Sequence, residues 1–168
     1  MSESLLEINN LVVRYGGRRG GKTVIEDVSL ALKAGETVSL VGESGSGKTT
    51  IGRAILGLAP VTEGTISFRG QEISNISRAR RRQVARDIQV IFQDPYSSLN
   101  PSMTVESILV EPLRAAGVAQ GRTGVRELLD AVGLPSDAGS RYPREFSGGQ
   151  RQRIAIARAL ALEPSVIV

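Results

Sequence analysis

Residues 42–49, Gly-Glu-Ser-Gly-Ser-Gly-Lys-Thr, carry the pattern G-x-x-x-x-G-K-[ST]. They follow the apolar run Thr37-Val38-Ser39-Leu40-Val41 and precede a stretch from Thr49 to Leu58 with helical spacing. A strand that enters a glycine loop and leaves it as a helix narrows the fold to the α/β class, with Thr37 to Val41 expected as a buried strand. Its glycines let successive N–H groups turn inward without a side-chain clash, and the helix adds its positive dipole end. Such a loop is built to cradle phosphate. The Lys48 ammonium can reach the outer phosphates, and the Thr49 hydroxyl can ligate the magnesium that accompanies them. The candidate set is Gly42, Glu43, Ser44, Gly45, Ser46, Gly47, Lys48, Thr49 and Thr50. A plain glycine-rich turn ahead of a helix is the competing account.

A second segment, Phe146-Ser147-Gly148-Gly149-Gln150, also offers backbone amides. Ser147 is a good cap for a helix expected over Gly148 to Leu162, whose apolar face includes Ile154, Ala157 and Ala161, and which Pro164 ends. A plain helix cap in a loop explains the same residues.

Composition removes several competitors. Without Cys there is no disulfide, thiolate nucleophile or cysteine-ligated metal. Without His there is no Ser–His dyad. Phosphate chemistry with magnesium needs neither. The 168 residues suffice for one domain with a core, and no apolar run has the length of a membrane span. With no signal segment at the start either, cytosolic residence is the expectation. Net charge is +4, and arginines cluster at Arg78, Arg80, Arg81, Arg82 and Arg86. No aromatics interleave with them, so a solvated helix face, or one meeting an acidic partner, is expected in preference to a nucleic-acid surface.

Along the chain, Leu5 to Tyr15 and Val24 to Lys33 read as strands forming an antiparallel pair, joined by a turn over Arg14 to Lys22. Gly64 to Gly70 reads as a short strand, Arg78 to Arg86 as a helix and Ile88 to Phe92 as a buried strand. Gln93 to Pro101 is turn chemistry with two prolines. Thr104 to Ala116 and Gly124 to Val132 read as helices separated by a Gly-containing linker. Ser165 to Val168 begins another β-branched strand, so the chain is expected to be the front part of a longer protein.

Taken in order, these motifs resemble the ATP-binding subunits of ABC transporters over essentially the whole chain. Residues 42–49 match the Walker A loop, Gln93 the Q-loop glutamine, and residues 146–150 the ABC signature, normally begun by Leu. The helix sequence from Arg151 to Leu160 is similar to the family's signature helix. More narrowly, residues 92–101 and 141–150 resemble oligopeptide, dipeptide and nickel importer ATPases, with Arg144 where that subfamily often has His.

The resemblance implies a P-loop, RecA-like core with an antiparallel β subdomain and a helical subdomain carrying the signature, the C-terminal part of the core being missing. The expected division within the partial domain 1–168 is about 1–35 antiparallel β, 36–92 P-loop core, 93–147 Q-loop and helical subdomain, and 148–168 signature helix and start of the Walker B strand. It implies ATP and magnesium as ligands. Lys48, Gln93 and Ser147 take the catalytic roles, with Thr49 and Gln93 at the metal. Tyr15 stacks on adenine, and Ser147, Gly148, Gly149 and Gln150 complete the nucleotide shell from a second subunit in a head-to-tail dimer. Read without the family, Tyr15 is a strand-end packing aromatic and Gln93 a polar residue at a strand end.

The family's partners are permease subunits, a second ATPase subunit and, indirectly, an extracytoplasmic solute-binding protein. No nucleic acid is expected. These place the protein at the cytoplasmic face of the membrane, coupling ATP hydrolysis to import of peptides or similar small solutes, nickel among them. The family's Walker B Asp, general-base Glu and switch His would lie beyond Val168, so these residues alone are expected to bind nucleotide poorly and not to hydrolyse it. A soluble ABC-class ATPase in DNA repair or translation is the alternative, and a non-catalytic nucleotide-binding module a third. Solute identity and homo- versus heterodimer are left open by these residues.

Overall fold

The computed structural model describes residues 4–16, 21–94, 98–118 and 122–168, so parts of the expected turn (17–20), the proline-rich segment (95–97) and the linker (119–121) lie outside the described residues. The chain divides into two compact units, residues 1–85 and 86–168.

Strands β1 (Leu6–Tyr15), β2 (Lys22–Leu32), β3 (Glu63–Phe68) and β4 (Gln71–Glu72) make the sheet of the first unit, in the order β2-β1-β3-β4 with every pair antiparallel. The expected β1–β2 pair is therefore present, with a third and fourth strand added on the other side. The alternation along β1 is loose because the strand bulges. Ile8 and Leu11 both point inward, with a register shift between them, and Asn10 at φ 49 lies in the bulge. Asn10 Nδ2 donates to Asp27 Oδ1 at 2.7 Å across to β2, where Asp27 is also left-handed at φ 53. Leu6, Ile8, Leu11, Val13 and Ile66 are buried on the sheet.

Helix α1 (Lys48–Ile55) begins inside the glycine loop and buries Ile51, Ala54 and Ile55. The expected strand before it is not formed. Residues 36–43 join no ladder, Val38 and Leu40 are 42% and 41% exposed, and Val41 is 95% exposed. An apolar, β-branched run records a preference for burial, but a strand also needs a neighbour to accept its N–H and C=O groups. Among the described residues none pairs with this one.

Helix α2 (Arg78–Asp87) follows β4, and its arginines are not one solvated face. Arg81 turns inward and donates to the carbonyls of Ile55, at 3.1 Å, and of Ile73 and Ser74. It thereby places a cation at the C-terminal end of α1, where the helix dipole favours it. Burial lowers its pKa. Arg86 similarly donates to the Ala116 carbonyl. Arg78, Arg80 and Arg82 are exposed as expected.

In the second unit, β5 (Ile88–Gln89) pairs in parallel with β6 (Val166–Ile167). The pairing continues as Ile91 N–H donates to the Val168 carbonyl at 2.9 Å, although the strand proper is shorter than the apolar run through Phe92. Helices α3 (Val105–Ala115), α4 (Arg122–Ala131) and α5 (Gly148–Leu160) enclose one apolar cluster, to which α3 gives Val105, Ile108 and Leu109, α4 gives Val125 and Leu129, and α5 gives Ile154, Ala155 and Ala157. Thr104 caps α3 by accepting from Ser107 N–H at 3.3 Å. Short 3₁₀ turns over Ser136–Ser140 and Pro143–Glu145 lead into α5.

Candidate functional site

Two helix N-termini carry the candidate residues, one in each unit. At the first, Gly45 (φ 85) and Gly47 (φ 95) both take left-handed backbone, so the loop curls before α1 starts. Gly47 is the cap residue and has no side chain with which to satisfy the helix donors. It is also the point at which the loop is pressed onto β2. A Cβ there would lie 2.4 Å from Ile25 Cδ1 and 3.1 Å from the Val24 carbonyl oxygen. Only glycine meets both demands.

Hydrogen bonds inside the loop are few. Ser46 N–H donates to the Glu43 carbonyl at 3.2 Å, and Thr50 and Ile51 donate to Gly47 at 2.8 and 3.0 Å. Among the described residues, the amides of Gly45, Gly47, Lys48 and Thr49 donate to no protein acceptor. Lys48 Nζ rests on the loop, donating to the carbonyls of Gly42 at 2.7 Å and Glu43 at 2.6 Å and to Ser46 Oγ at 3.2 Å. Thr49 is exposed beside it. A consecutive set of open amides, a helix N-terminus, a lysine and a hydroxyl fit a polyphosphate and its divalent cation in charge and in hydrogen-bonding sense.

The second N-terminus is arranged by its own side chains. Ser147 Oγ accepts from Gln150 N–H at 3.3 Å, and Gln150 Oε1 accepts from Ser147 N–H at 2.9 Å, a reciprocal capping box. Arg151 N–H donates to the Ser147 carbonyl at 2.9 Å. Among the described residues, the amides of Gly148 and Gly149 have no acceptor, and a Cβ on Gly149 would meet nothing within 4 Å. This chain's own packing does not require glycine at that position.

Phe146 anchors the approach to the cap. Its ring is 3% exposed in the helical cluster, and the Arg141 guanidinium lies 4.5 Å from its centroid. A large apolar side chain is all this position needs, so Phe serves where the family normally has Leu. Arg151 braces the same turn, its Nε donating to the carbonyls of Pro143 at 2.8 Å and Phe146 at 3.0 Å. Sequence reasoning did not assign Arg151 a role, because its acceptors are main-chain carbonyls that no side-chain pattern marks. Arg144, the subfamily departure, is exposed over the Tyr142 ring.

Gln93 is exposed in a bend just after the β5 segment. Tyr15 is 39% exposed at the end of β1, opposite Lys22. The first unit thus contains the phosphate-loop residues and Tyr15, and the second contains Gln93 and Ser147 to Gln150.

The family model described as ABC transporter matches residues 25–168. The chain is 49% identical over 99% of its length to the glutathione import ATP-binding protein GsiA of Salmonella typhi, and equally so to that of Shigella dysenteriae serotype 1. It spans 28% of the length of these relatives. Among solved structures, the dimeric ATP-binding cassette MJ0796 in a post-hydrolysis state bound to ADP and Pi superimposes with a TM-score of 0.84 at 32% identity, covering 96% of this chain and 72% of that one. CbiO1 of Clostridium perfringens, part of an ABC transporter complex, has a TM-score of 0.81 at 24% identity, covering 98% of this chain and 64% of that one, a likeness of fold.

Proposed function

The chain belongs to the ABC transporter family, and we propose that it forms the front part of a transport ATPase cassette that binds MgATP and powers import of small peptides or similar solutes. The observation that carries this reading is the pair of helix N-termini at which, among the described residues, amides stay open: those of Gly45, Gly47, Lys48 and Thr49, and those of Gly148 and Gly149. Each offers donors to an anion from one side only. A triphosphate bridging them would be enclosed by two cassettes, the loop of one facing the signature of the other, and ATP would act as the adhesive between them.

In this reading the amides of Gly45, Gly47, Lys48 and Thr49 hold the phosphates, and Lys48 leaves the Gly42 and Glu43 carbonyls to neutralise their charge. Thr49 and Gln93 are the residues that would hold magnesium, which would supply charge neutralisation to the phosphates. Ser147, its acceptor capacity engaged by Gln150, donates its hydroxyl proton to the nucleotide alongside the amides of Gly148 and Gly149. Gln150 supports this shell by holding Ser147. Gln93 orients the attacking water, and Tyr15, exposed at a strand end, stacks on the adenine.

The partners are a second ATPase cassette, permease subunits at the cytoplasmic face of the membrane and, through the permease, a solute-binding protein. No helix among the described residues is long and apolar enough to cross a membrane, which fits a peripheral subunit. Peptides are favoured as solutes because the relatives are glutathione import proteins and glutathione is itself a small peptide. The same relatives favour transport over a soluble role in DNA repair or translation. Purification of the whole protein from membranes tests this: recovery with a permease and ATP hydrolysis lost in Lys48→Ala support it, whereas recovery with ribosomes or DNA contradicts it.

A further inference from the structure

One half-buried arginine ties the signature helix to the segment that follows Gln93. Arg158 on α5 donates from Nη1 to the Ser98 carbonyl at 2.5 Å. Desolvation lowers its pKa, and the charge of Glu111 on α3 opposes that shift. Next to Ser98, Leu99 is 3% exposed in the same cluster as Ile154, Ala155 and Ala157 of α5. The chain at Ser98 and Leu99 is therefore held to α5 by a directional polar link and by apolar packing. Packing tolerates sliding by a fraction of a side chain, whereas a charge-assisted hydrogen bond to a carbonyl fixes distance and direction. On one side the link ends at Ser98, which follows Gln93 in the sequence. On the other, it leads along α5 to Ser147, Gly148 and Gly149.

We propose that Arg158 is a positioning residue that keeps the segment at Ser98 and Leu99 in register with the signature helix, so that a displacement of α5 on nucleotide closure is delivered to that segment and onward to the permease. This rests on the transport-ATPase reading above. Arg158 touches no candidate nucleotide-binding residue in its own unit through the hydrogen bond described, so its loss is expected to uncouple the machine and to leave nucleotide binding intact. Arginine suits the task because its planar fork holds a fixed direction, whereas lysine offers a rotating point charge.

The test uses the whole protein reconstituted with its permease, comparing the unmodified protein with Arg158→Met and Arg158→Lys. Four quantities are read: ATP affinity, hydrolysis without permease, permease-stimulated hydrolysis, and amide exchange at residues 98–103. For Arg158→Met the expected result is affinity within about twofold, basal hydrolysis within about threefold and stimulation reduced about tenfold or more, with Arg158→Lys intermediate. Exchange near Ser98 should quicken with or without ATP. Unchanged stimulation, or basal and stimulated rates falling by the same factor, overturns the proposal. Should Arg158→Met fail to fold, Arg158→Lys is judged by the same split between basal and stimulated rates. Failure of the unmodified protein to bind ATP overturns the transport-ATPase reading and the coupling with it. ATP binding with unaltered coupling in the variants overturns only the role of Arg158.

Discussion

Lys48 Nζ lies 2.7 Å from the carbonyl oxygen of Gly42, so the ammonium assigned to the phosphates closes its own loop. The loop carbonyls of Gly42 and Glu43 and a nucleotide compete for the same three N–H donors. Replacing Lys48 with Ala should weaken ATP binding about 100-fold, equivalent to ~2.7 kcal/mol, by removing charge-assisted contacts. Because the loop is exposed, unfolding free energy should move by less than about 0.5 kcal/mol. Calorimetric titration and urea denaturation of the whole protein separate the two effects.

Gly47 is held by both its backbone and its surroundings. Gly47→Ala should destabilise by about 2–4 kcal/mol, combining left-handed strain with the clash on Ile25 Cδ1. Ile25→Val removes that methyl, and alone should cost about 1 kcal/mol. The double variant should recover part of the loss, leaving about 1–2 kcal/mol of backbone strain. Strictly additive losses in a double-mutant cycle would show that β2 does not constrain the loop.

Ser147 and Gly149 should respond in opposite directions. Ser147→Ala breaks the capping box and should cost about 1 kcal/mol of stability. Gly149→Ala puts a methyl into open space on a helix and should be neutral or stabilising by up to about 0.5–1 kcal/mol. Both should impair ATP-driven association of cassettes, Gly149→Ala because its methyl stands where a second surface would approach. Light scattering with and without ATP, alongside thermal melts, checks this split.

The arginines of α2 should divide sharply. Arg81→Met strips a donor from the carbonyls of Ile55, Ile73 and Ser74 and should cost about 2–3 kcal/mol. Arg82→Ala, on the exposed side, should stay within about 0.5 kcal/mol. Equal effects in urea denaturation would contradict the inward role of Arg81.

That contrast shows where the sequence was legible. The cap at Ser147 and the glycine loop opening α1 are short-range features, each specified by residues within a few positions of one another, and the antiparallel start joins two strands adjacent in sequence. Arg81, Arg151 and Arg158 were not legible, because each donates to main-chain carbonyls, which look alike at every position. Thr37 to Val41 misled for a related reason: hydropathy declares what a segment prefers to bury, while strand formation depends on which partner lies alongside. The bulge at Asn10 blurred β1 without hiding it.

The most direct test of the two-sided phosphate site is crosslinking between cassettes of the whole protein; these 168 residues contain no cysteine, and any cysteine elsewhere in the protein is first replaced by Ser. Ser46→Cys in one cassette and Ser147→Cys in a second should crosslink with a short bifunctional reagent when ATP is present, and not without nucleotide or in a Lys48→Ala background. A yield independent of ATP, or no crosslink between cassettes that bind ATP, would contradict the account.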